Sequence, residues 1–406
     1  MSEPRVAIVG GGIGGLVLAL ALRDRGVSFD VYEQAAELRE IGAAVFLSAN
    51  GTRELRRLGI GEQVEAVSVV PSALVIRRFD TGEVIADHPI GRSSVYEATF
   101  GAPCYGLHRV ALLQALAERL GGEGLNLARR CVGVVEHRSG VELAFADGTT
   151  AEADVVVGAD GVHSVVRSHI VGEARGRYSG TVGYRGLVPV ENTPSLPDAT
   201  PLQFWAGPGR HLLHYAIDGG RTINFLAVVR VAEWTNVAWM EECAISDAVD
   251  AFAGWHPAVT EMVGATQAGT RWALHDLAPL ARWHTERVVL IGDAAHAMVP
   301  HQGQGANQTI EDVIVLADYL ADADLPGDLA SVLRRYQERR RRRTIAVQWL
   351  SRRTADLMHL PDGPQIAHRD ALLADLYSSL AWIHSHDAHA DYIAQRPAVT
   401  VASRRT

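Results

Sequence analysis

A histidine and a tyrosine stand four residues apart in the apolar stretch HLLHYAI, residues 211–217. Side chains alternate between the faces of a β-strand, so a strand places His211, Leu213 and Tyr215 on one face. A rise of about 3.3 Å per residue separates His211 from Tyr215 by roughly 13 Å, which is enough to bracket one aromatic ring. Histidine can take a phenolic proton, and tyrosine can donate or accept one. The pattern equally fits two interior sheet residues with satisfied hydrogen bonds, and both interpretations stay open here.

A second group of polar residues follows an apolar strand in RVVLIGDAAHAMVPHQGQGANQTIEDV, residues 287–313. Asp293 comes directly after the predicted strand, where its carboxylate can accept hydrogen bonds from a polyol. The helix predicted from Gly305 has a bare N-terminus, whose N–H groups and positive potential can face a flat anionic ring. His301, in the loop between them, is a third candidate for chemistry. His296 and His301 lack the third ligand that catalytic zinc requires, so the sequence predicts no metal site.

The segment VAIVGGGIGGLVLALALRDRGVSFDVYE, from residue 6, predicts a strand, a glycine turn, a helix and a second strand. Gly10 permits a tight turn, Gly12 lets the backbone approach a pyrophosphate, and Gly15 lets the helix pack on the strand. The helix N-terminus then faces the phosphates. Glu33 ends the second strand about 20 residues further on, where a carboxylate can accept both hydroxyls of an adenosine ribose. The complete unit predicts a dinucleotide site, and its glycines argue against a membrane span.

A third segment, ADVVVGADGVHSVVR (153–167), predicts an apolar strand followed by Asp160 and a short helix. Ser164 would begin that helix, and Arg167 lies within it. The segment is a candidate for contact with the dinucleotide, but an ordinary helix capped by an acidic residue gives the same pattern. The residues alone leave both interpretations open.

The composition is typical of a globular chain with more than one domain. Its 406 residues exceed what one core usually supports, and a formal net charge of −9 gives no field to attract nucleic acid or an anionic membrane. Three scattered cysteines fit neither a disulfide framework nor a metal cluster, which favours a reducing cytoplasm. The sequence has no lysine, which excludes Schiff-base chemistry. The arginine run at 334–343 is interpreted as a solvated helix face, not a nucleic-acid site.

Together these segments resemble the single-component, FAD-dependent aromatic hydroxylases. The glycine turn with Glu33, the segment with Asp160 and the segment with Asp293 occur in the order and at the distances typical of that family. LHRVALLQAL supplies Arg109, which matches an arginine that contacts flavin there. Within the family, GPGRHLLHY, VPHQGQGANQ and HLPDGPQIAHRDA are most similar to the salicylate, 3-hydroxybenzoate and 6-hydroxynicotinate hydroxylases. The similarity covers almost the whole chain.

The resemblance implies FAD as cofactor and NAD(P)H as a co-substrate that docks transiently in a shared groove. Glu33 would hold the adenosine ribose and Asp293 the ribityl chain, while the loop at 300–305 would lie along the pyrimidine edge of the flavin. The cofactor-binding residues predicted in this way are Gly10, Gly12, Ile13, Gly14, Gly15, Glu33, Arg109, Asp160, Asp293, Gly303, Gly305, Ala306 and Asn307.

The implied activity is hydroxylation of a small aromatic substrate. NAD(P)H reduces the flavin, dioxygen forms a flavin hydroperoxide, and its distal oxygen passes to the ring of a phenolic or other aromatic acid, salicylate-like or hydroxybenzoate-like. The family match of their positions makes His211, Tyr215 and His301 the predicted catalytic residues. Phe46 stands where the 6-hydroxynicotinate enzymes have a histidine, which disfavours that substrate. The exact substrate, the position hydroxylated, any decarboxylation, and the choice between NADH and NADPH stay open.

The predicted fold is α/β, with a Rossmann-like FAD-binding domain, an inserted mixed β-sheet substrate domain and C-terminal helices. A flavin halogenase shares this fold but relies on a lysine, and a non-catalytic flavoprotein that sequesters an aromatic ligand stays as the alternative. The enzyme is expected in the cytoplasm as a monomer or homodimer, without nucleic-acid or membrane partners. The predicted limits are 1–70, 101–176 and 276–345 for the FAD-binding domain, 71–100 and 177–275 for the substrate domain, and 346–406 for the C-terminal segment.

Overall fold

A parallel sheet of five strands forms the first layer of the fold. The computed structural model describes residues 5–38, 44–236, 238–266, 269–323 and 327–395. The apolar run VAIV forms the central strand of this sheet, because a strand covered on both faces needs a continuous hydrophobic sequence. In spatial order the strands are β19 (Val288–Leu290), β12 (Val155–Gly158), β1 (Arg5–Val9), β2 (Ser28–Tyr32) and β8 (Leu125–Asn126).

The strand order reverses beside β1. β2 lies on one side of β1 and β12 on the other, which opens a crevice beyond their carboxyl ends, where open α/β sheets bind ligands. Gly10 turns the chain there with φ +109°, and helix α1 (Ile13–Asp24) follows. A Cβ at Gly15 would lie 1.9 Å from the carbonyl oxygen of Gly10, so only glycine permits this packing of helix on turn.

A larger sheet of eight strands lies beside this crevice. In spatial order its strands are β17 (Met240–Glu242), β18 (Thr270–Asp276), β13 (Arg177–Pro189), β16 (Thr222–Arg230), β15 (Arg210–Ile217), β14 (Leu202–Gly207), β5 (Ala73–Arg78) and β6 (Val84–Pro89). β14 and β5 pair in parallel, and the other neighbours run antiparallel. The mixed sheet therefore joins a segment near residue 80 to a segment more than a hundred residues later.

Two small antiparallel sheets complete the strand framework. One contains β9 (Cys131–Glu136), β10 (Val141–Phe145) and β11 (Thr150–Ala153), and the other contains β3 (Ala44–Leu47), β7 (Tyr105–His108) and β4 (Ser68–Val69). In the second, Phe46 pairs with Gly106. A Cβ at Gly106 would lie 2.6 Å from the ring of Tyr215, so this glycine makes room where the small sheet meets the large one.

Helices cover the parallel sheet and close the C-terminal side of the molecule. Helix α10 starts at the crevice and packs on α1, and the long helix α11 crosses α10. The helices after α1 are α2 (Ala49–Arg57), α3 (Gly61–Ala66), α4 (Val95–Phe100), α5 (Arg109–Leu120), α6 (Val165–Val171), α7 (Ile245–Ala251), α8 (Pro257–Gly264), α9 (Asp293–His296), α10 (Gly305–Asp322), α11 (Leu329–Met358), α12 (Ile366–Ala374), α13 (Leu376–His384) and α14 (Ala388–Gln395).

These layers confirm the predicted α/β class, with a parallel sheet, a mixed sheet and C-terminal helices. The domain limits stay a prediction. They are supported by the strands of the mixed sheet, which all lie within residues 73–89 and 177–276. Within the described residues, none of the helices combines the length and the apolar character needed to cross a membrane.

The interpretation of the arginine run as a solvated helix face is wrong for part of the run. The run lies in α11, but Arg340 is buried and binds Glu311 at 2.6 Å and Asp312 at 2.7 Å. Arg343 also binds Glu311, at 2.7 Å. Two carboxylates buried in α10 need cations beside them, because an unpaired buried charge costs several kcal/mol. A pattern within α11 could not show this pairing, since the acids belong to another helix.

Candidate active site

A groove runs along the carboxyl ends of β1, β12 and β19. Its deepest part is a cavity of about 260 Å³, which adjoins a second cavity of about 220 Å³ against the mixed sheet. The two cavities share Asp293, Gly305 and Ala306, so they form two parts of one site. The predicted cofactor residues that line the first cavity are Gly12, Ile13, Gly14, Arg109, Asp293, Gly305 and Ala306.

The glycine turn is open toward the first cavity and closed toward the sheet. Apart from Gly12 and its neighbours in the chain, no atom of the described residues lies within 4 Å of the position that a Cβ would take at Gly12. At Gly10, by contrast, a Cβ would lie 2.5 Å from the carbonyl oxygen of Ala159. The open side at Gly12 is a cradle that a side chain would fill, and it fits a pyrophosphate at the N-terminus of α1.

Glu33 lies at the end of β2, where the backbone fixes its carboxylate. Its Oε2 accepts a hydrogen bond from Gly11 N at 2.6 Å, and its Oε1 accepts one from Ala35 N at 2.8 Å. Each carboxylate oxygen retains acceptor capacity beyond these bonds, as a ribose diol requires. This geometry supports the predicted ribose contact, which stays a prediction.

Asp160 caps the helix that follows it. Its Oδ2 accepts hydrogen bonds from the backbone of Val165 at 2.8 Å and Val166 at 3.1 Å, and its Oδ1 accepts from Ser164 Oγ at 2.5 Å. Burial raises the pKa of the Asp160 carboxyl, and these hydrogen bonds oppose that shift. The capping interpretation is therefore correct for the side chain. The carboxylate of Asp160 can accept further hydrogen bonds, and its contact with the cofactor stays a prediction.

The turn that carries Asp293 is held from two sides. Arg167 Nη1 donates to the α9 backbone at 3.1 Å, and Gly292 N donates to Asp312 Oδ2 at 2.9 Å. The same carboxylate binds His296 Nε2 at 2.5 Å. His296 is thus a structural partner of Asp312, while Asp293 lines both cavities.

Helix α10 presents an uncapped N-terminus to the groove. No side-chain hydrogen bond from Gln304 caps it in the described chain, and Gly303 turns the preceding loop with φ +60°. The Asn307 side chain holds neighbouring backbone instead of facing the groove. Its Oδ1 accepts from Ser48 N at 3.0 Å, and its Nδ2 donates to Phe46 O at 3.1 Å. If Asn307 contacts the cofactor as predicted, the contact is made by its backbone N–H, because its side chain is already bonded to the protein.

The second cavity, of about 220 Å³, has mainly apolar walls. Phe46, Leu213, Met298 and Pro300 line it, together with Tyr215. The ring of Tyr215 packs edge-on against Phe46 with the centroids 6.0 Å apart. A pocket of this kind, with few polar groups, is typical of sites for small aromatic ligands.

Two polar residues of this pocket escaped the sequence analysis. Arg185 on β13 and Asn224 on β16 line the pocket with Tyr215. The Arg185 side chain is exposed to the groove, and the protein atoms around it lower the pKa of its guanidinium. Tyr215 opposes this shift and the charge of Arg109 adds to it. The planar guanidinium can bind a carboxylate through two parallel hydrogen bonds. Asn224 lies opposite Tyr215 on the neighbouring strand. This pairing would have identified it, but the sequence does not show which strands are neighbours.

Tyr215 lies where the strand period placed it, on the wall of this pocket. It is buried, and burial raises the pKa of its hydroxyl well above 10.0, although the nearby charge of Arg185 opposes the shift. The hydroxyl is therefore protonated at neutral pH. It can donate a hydrogen bond to an oxygen of a ligand, but it is a poor base.

The structure brings His211 and His301 together and adds a third histidine that the sequence analysis did not single out. The ring centroid of His211 lies 5.0 Å from that of His301 and 4.9 Å from that of His359. Burial lowers the pKa of all three, well below 6.5 for His211, to about 4 for His301 and to about 3 for His359. The three rings are therefore neutral at neutral pH. His211 lies in this cluster, two positions from the pocket residue Leu213 on the same strand face.

The described ranges contain no group of three His, Cys, Asp or Glu side chains arranged to hold a metal ion. His296 binds Asp312, and His301 packs on His211. The predicted lack of a metal stays a prediction for the isolated protein.

The open glycine turn, the fixed Glu33 and the uncapped helix beside a small apolar pocket define a dinucleotide-binding oxidoreductase of the flavin type. The chain belongs to the family described as "FAD binding domain", which it matches over residues 3–350.

Two curated relatives and one solved structure show where in this family the chain lies. It is 41% identical over 389 residues to the 3-amino-4-hydroxybenzoate 2-monooxygenase PtmB3 of Streptomyces platensis, covering 95% of this chain and 97% of that protein. It is 34% identical over 412 residues to a salicylate hydroxylase of Pseudomonas putida, covering 95% and 93%. A salicylate hydroxylase substrate complex superposes with a TM-score of 0.84 at 30% identity, covering 98% of this chain and 99% of that chain.

The protein is accordingly an FAD-dependent aromatic hydroxylase that uses NAD(P)H and dioxygen. The predicted family, cofactor and reaction class are confirmed, and nothing supports the non-catalytic alternative. The roles of the individual residues stay predictions.

Proposed function

We propose that this enzyme hydroxylates a benzoate that carries a ring hydroxyl, and that 3-amino-4-hydroxybenzoate is the first compound to test. The observation that carries the proposal is a small apolar pocket whose polar groups include the cation of Arg185 and the hydroxyl of Tyr215. A carboxylate and a phenol on one ring are the complementary groups. The relative that is 41% identical acts, by its name, on such a compound.

The cofactor residues of this proposal are those that the sequence analysis named. Gly12 and its neighbouring glycines would admit the pyrophosphate, Glu33 would accept the ribose hydroxyls, and Asp293 would hold the polyol. The N–H groups of α10 would stabilise negative charge on the ring system. Bound FAD would activate dioxygen, which supplies the oxygen atom that enters the substrate.

The residues of the mixed sheet prepare the substrate for that oxygen. Arg185 would bind the carboxylate, and Phe46 and Met298 would keep water from the ring. His211, neutral at physiological pH, would accept the phenolic proton, and Tyr215 would hold the substrate in place by a hydrogen bond. Loss of that proton raises the electron density of the ring, which favours attack on an electrophilic oxygen. His301 would support His211 from the cofactor loop.

The cellular location and the assembly belong to the same proposal. We infer a cytoplasmic enzyme that works as a monomer or homodimer; the scattered cysteines support the cytoplasmic location. Sedimentation velocity of the FAD-loaded protein measures its assembly directly.

The experiment is a screen of phenolic acids against the FAD-loaded enzyme with NADH or NADPH. 3-Amino-4-hydroxybenzoate, 4-hydroxybenzoate, salicylate and 3-hydroxybenzoate are compared for stimulated nucleotide oxidation and for hydroxylated product by mass spectrometry. We expect one of the hydroxybenzoates to give close to one product per nucleotide oxidised. Oxidation that yields hydrogen peroxide with every acid, and no hydroxylated ring, would contradict the proposal.

A further inference from the structure

Asn224 presents an amide to the substrate pocket. It lies on β16, lines the pocket and is partly exposed. Its side chain makes no hydrogen bond with any other part of the described chain. An amide has two N–H donors and a carbonyl acceptor, and a polar group left open in an apolar pocket is one that a ligand can use.

Asn224 and Tyr215 lie side by side on the wall of the pocket. They are directly opposite in the register of β16 and β15, and both line the pocket, so their side chains share one face of the mixed sheet. Opposite residues of an antiparallel pair have Cβ atoms about 4.5–5.5 Å apart. A ring that is bonded to the hydroxyl of Tyr215 through one substituent therefore brings the adjacent substituent to the amide of Asn224.

Arg185 lies farther along the same face of the sheet. On β13 it is opposite Leu226, two positions beyond Asn224 on β16, so Arg185 and Asn224 are diagonal neighbours. Such neighbours are about 7–8 Å apart. The pocket wall therefore has two adjacent hydrogen-bonding groups at one end and a cation displaced from them. A ring with two neighbouring polar substituents at one end and a carboxylate at the other has the complementary layout.

Few side chains of the pocket can accept a hydrogen bond from a ligand. The guanidinium of Arg185 only donates. Gln304 lines the pocket too, but its carbonyl oxygen already accepts hydrogen bonds from two side chains, at 3.1 Å and 3.3 Å. Asp293 is assigned to the polyol of FAD in the proposed function. The carbonyl oxygen of Asn224 is therefore the acceptor that remains for an N–H group of the substrate.

We propose that Asn224 is a specificity-determining residue, which selects a substrate with an amino group next to the phenolic hydroxyl. The inference rests on the proposed function, in which Tyr215 binds that hydroxyl and Arg185 binds the carboxylate. Oδ1 of Asn224 accepts a hydrogen bond from the aryl amine, which is uncharged at neutral pH. 3-Amino-4-hydroxybenzoate carries the amino group, the hydroxyl and the carboxylate in the matching positions.

The selection follows from the cost of leaving the amide without a partner. A methyl group is close in size to an amino group but has no N–H, so a methyl-substituted ring would cover the carbonyl of Asn224 without bonding to it. The neighbouring walls, among them Phe46 and Leu213, are apolar and offer no other side-chain partner. A site that hydrogen-bonds an N–H of its substrate rejects the analogue without it, because a buried polar group is then left unpaired.

The test compares two ligands of nearly equal size, 3-amino-4-hydroxybenzoate and 3-methyl-4-hydroxybenzoate. Their Kd values for the FAD-loaded enzyme are measured by calorimetry without NAD(P)H. We expect wild type to bind the amino compound about tenfold or more tightly. Asn224→Leu and Asn224→Ala, which both remove the amide, should lose this preference, whereas Asn224→Asp, which keeps an acceptor, should retain it. The ratio of the two Kd values cancels any effect on the carboxylate and hydroxyl that both ligands share.

The matched control is Asn192→Leu, at an exposed asparagine outside the pocket, and it should keep the ratio of wild type. Equal Kd values for the two ligands in wild type, or an unchanged ratio in the Leu and Ala variants of Asn224, would overturn the inference. Loss of the preference in Asn224→Asp would also overturn it, because the acceptor is kept there. In these cases a hydroxybenzoate is still hydroxylated and the proposed function stands. If wild type hydroxylates none of the acids in the screen, the proposed function is wrong and the inference is rejected with it.

Discussion

The cofactor groove and the substrate pocket adjoin each other but are built from different parts of the polypeptide. The groove is mainly backbone, with the open side of Gly12, the uncapped end of α10 and a carboxylate, Glu33, fixed by N–H groups. The pocket is made of side chains, among them Phe46, Arg185 and Tyr215, which come from three separate strands. A backbone site binds the same cofactor in many proteins, while a side-chain site changes its ligand by substitution.

The largest expected effect separates two glycines of the same turn. Gly12→Ala should leave the apoprotein folded and as stable as wild type, because nothing lies within 4 Å of the added methyl, but FAD retention should be lost. Gly15→Ala should lower the stability of the apoprotein itself, because its methyl would lie 1.9 Å from a backbone oxygen. The measurements are thermal melting of both apoproteins and the flavin absorbance retained on purification.

A Gly12→Ala protein that keeps FAD through dilution and washing would mean that the pyrophosphate does not approach this turn. The description of the cofactor groove as a site built from backbone would then be wrong.

The next largest effect concerns the substrate pocket. His211→Ala should reduce the rate of hydroxylation by about 10²–10⁴-fold, the usual contribution of general-base assistance, while FAD binding is unchanged. Tyr215→Phe, which removes a hydroxyl and keeps the ring, should lower the ratio of product to NAD(P)H consumed with a smaller loss of rate. The readouts are that ratio and its dependence on pH, with hydrogen peroxide measured in parallel. Full coupling and an unchanged pH profile in His211→Ala would assign His211 to the sheet interior.

The same contrast explains what the sequence could reveal. The glycine turn, Glu33 and Asp293 are local features, since each depends on a strand, a turn and a helix that are consecutive in the chain. The structure places them on or beside the groove, and their contacts with the cofactor stay predictions. Tyr215 was found because a strand period of two is also local.

Arg185, Asn224 and His359 were missed because their importance depends on partners distant in sequence. Asn224 meets Tyr215 only through the register of β15 and β16, and His359 meets His211 across 148 positions. The burial of Arg340 was missed for the same reason, since its carboxylates lie in α10. Periodicity within one element shows which face is apolar but not what that face touches.

A third prediction tests the end of the groove that faces the pocket. Asp293→Ala should weaken FAD binding by about 1.5–3 kcal/mol, the usual value of a hydrogen bond to a charged group, because the polyol loses its ionic acceptor. The Kd is measured by flavin fluorescence on titration of the apoprotein. Glu286→Ala, at an exposed acid before the same strand, is the matched control. Equal Kd values in the two variants would remove Asp293 from the cofactor site.

The smallest effect uses pH to distinguish the two regions. His384, at the end of α13, shares a hydrogen bond of 3.0 Å with the hydroxyl of Tyr96, and burial lowers its pKa from 6.5 to about 4. Between about pH 6.5 and about 4, the unfolded chain therefore binds a proton that the folded chain excludes, and stability falls as the pH falls. His384→Gln removes this proton and keeps a hydrogen-bonding side chain. The slope of the unfolding free energy against pH should decrease by up to about 1.4 kcal/mol per pH unit in that window.

The quantity to compare is the difference between variant and wild type at each pH, from denaturant titrations of the apoproteins. Asp276 acts in the opposite direction, since burial raises the pKa of its carboxyl to about 6, and the difference cancels its contribution. The same substitution at His137, which is exposed, controls for the loss of a histidine as such. If His384→Gln and wild type lose stability in parallel as the pH falls, His384 does not limit acid stability. The acid sensitivity would then come from other groups, such as the ion pairs of α10 and α11, where Glu311 and Asp312 must stay ionised beside Arg340.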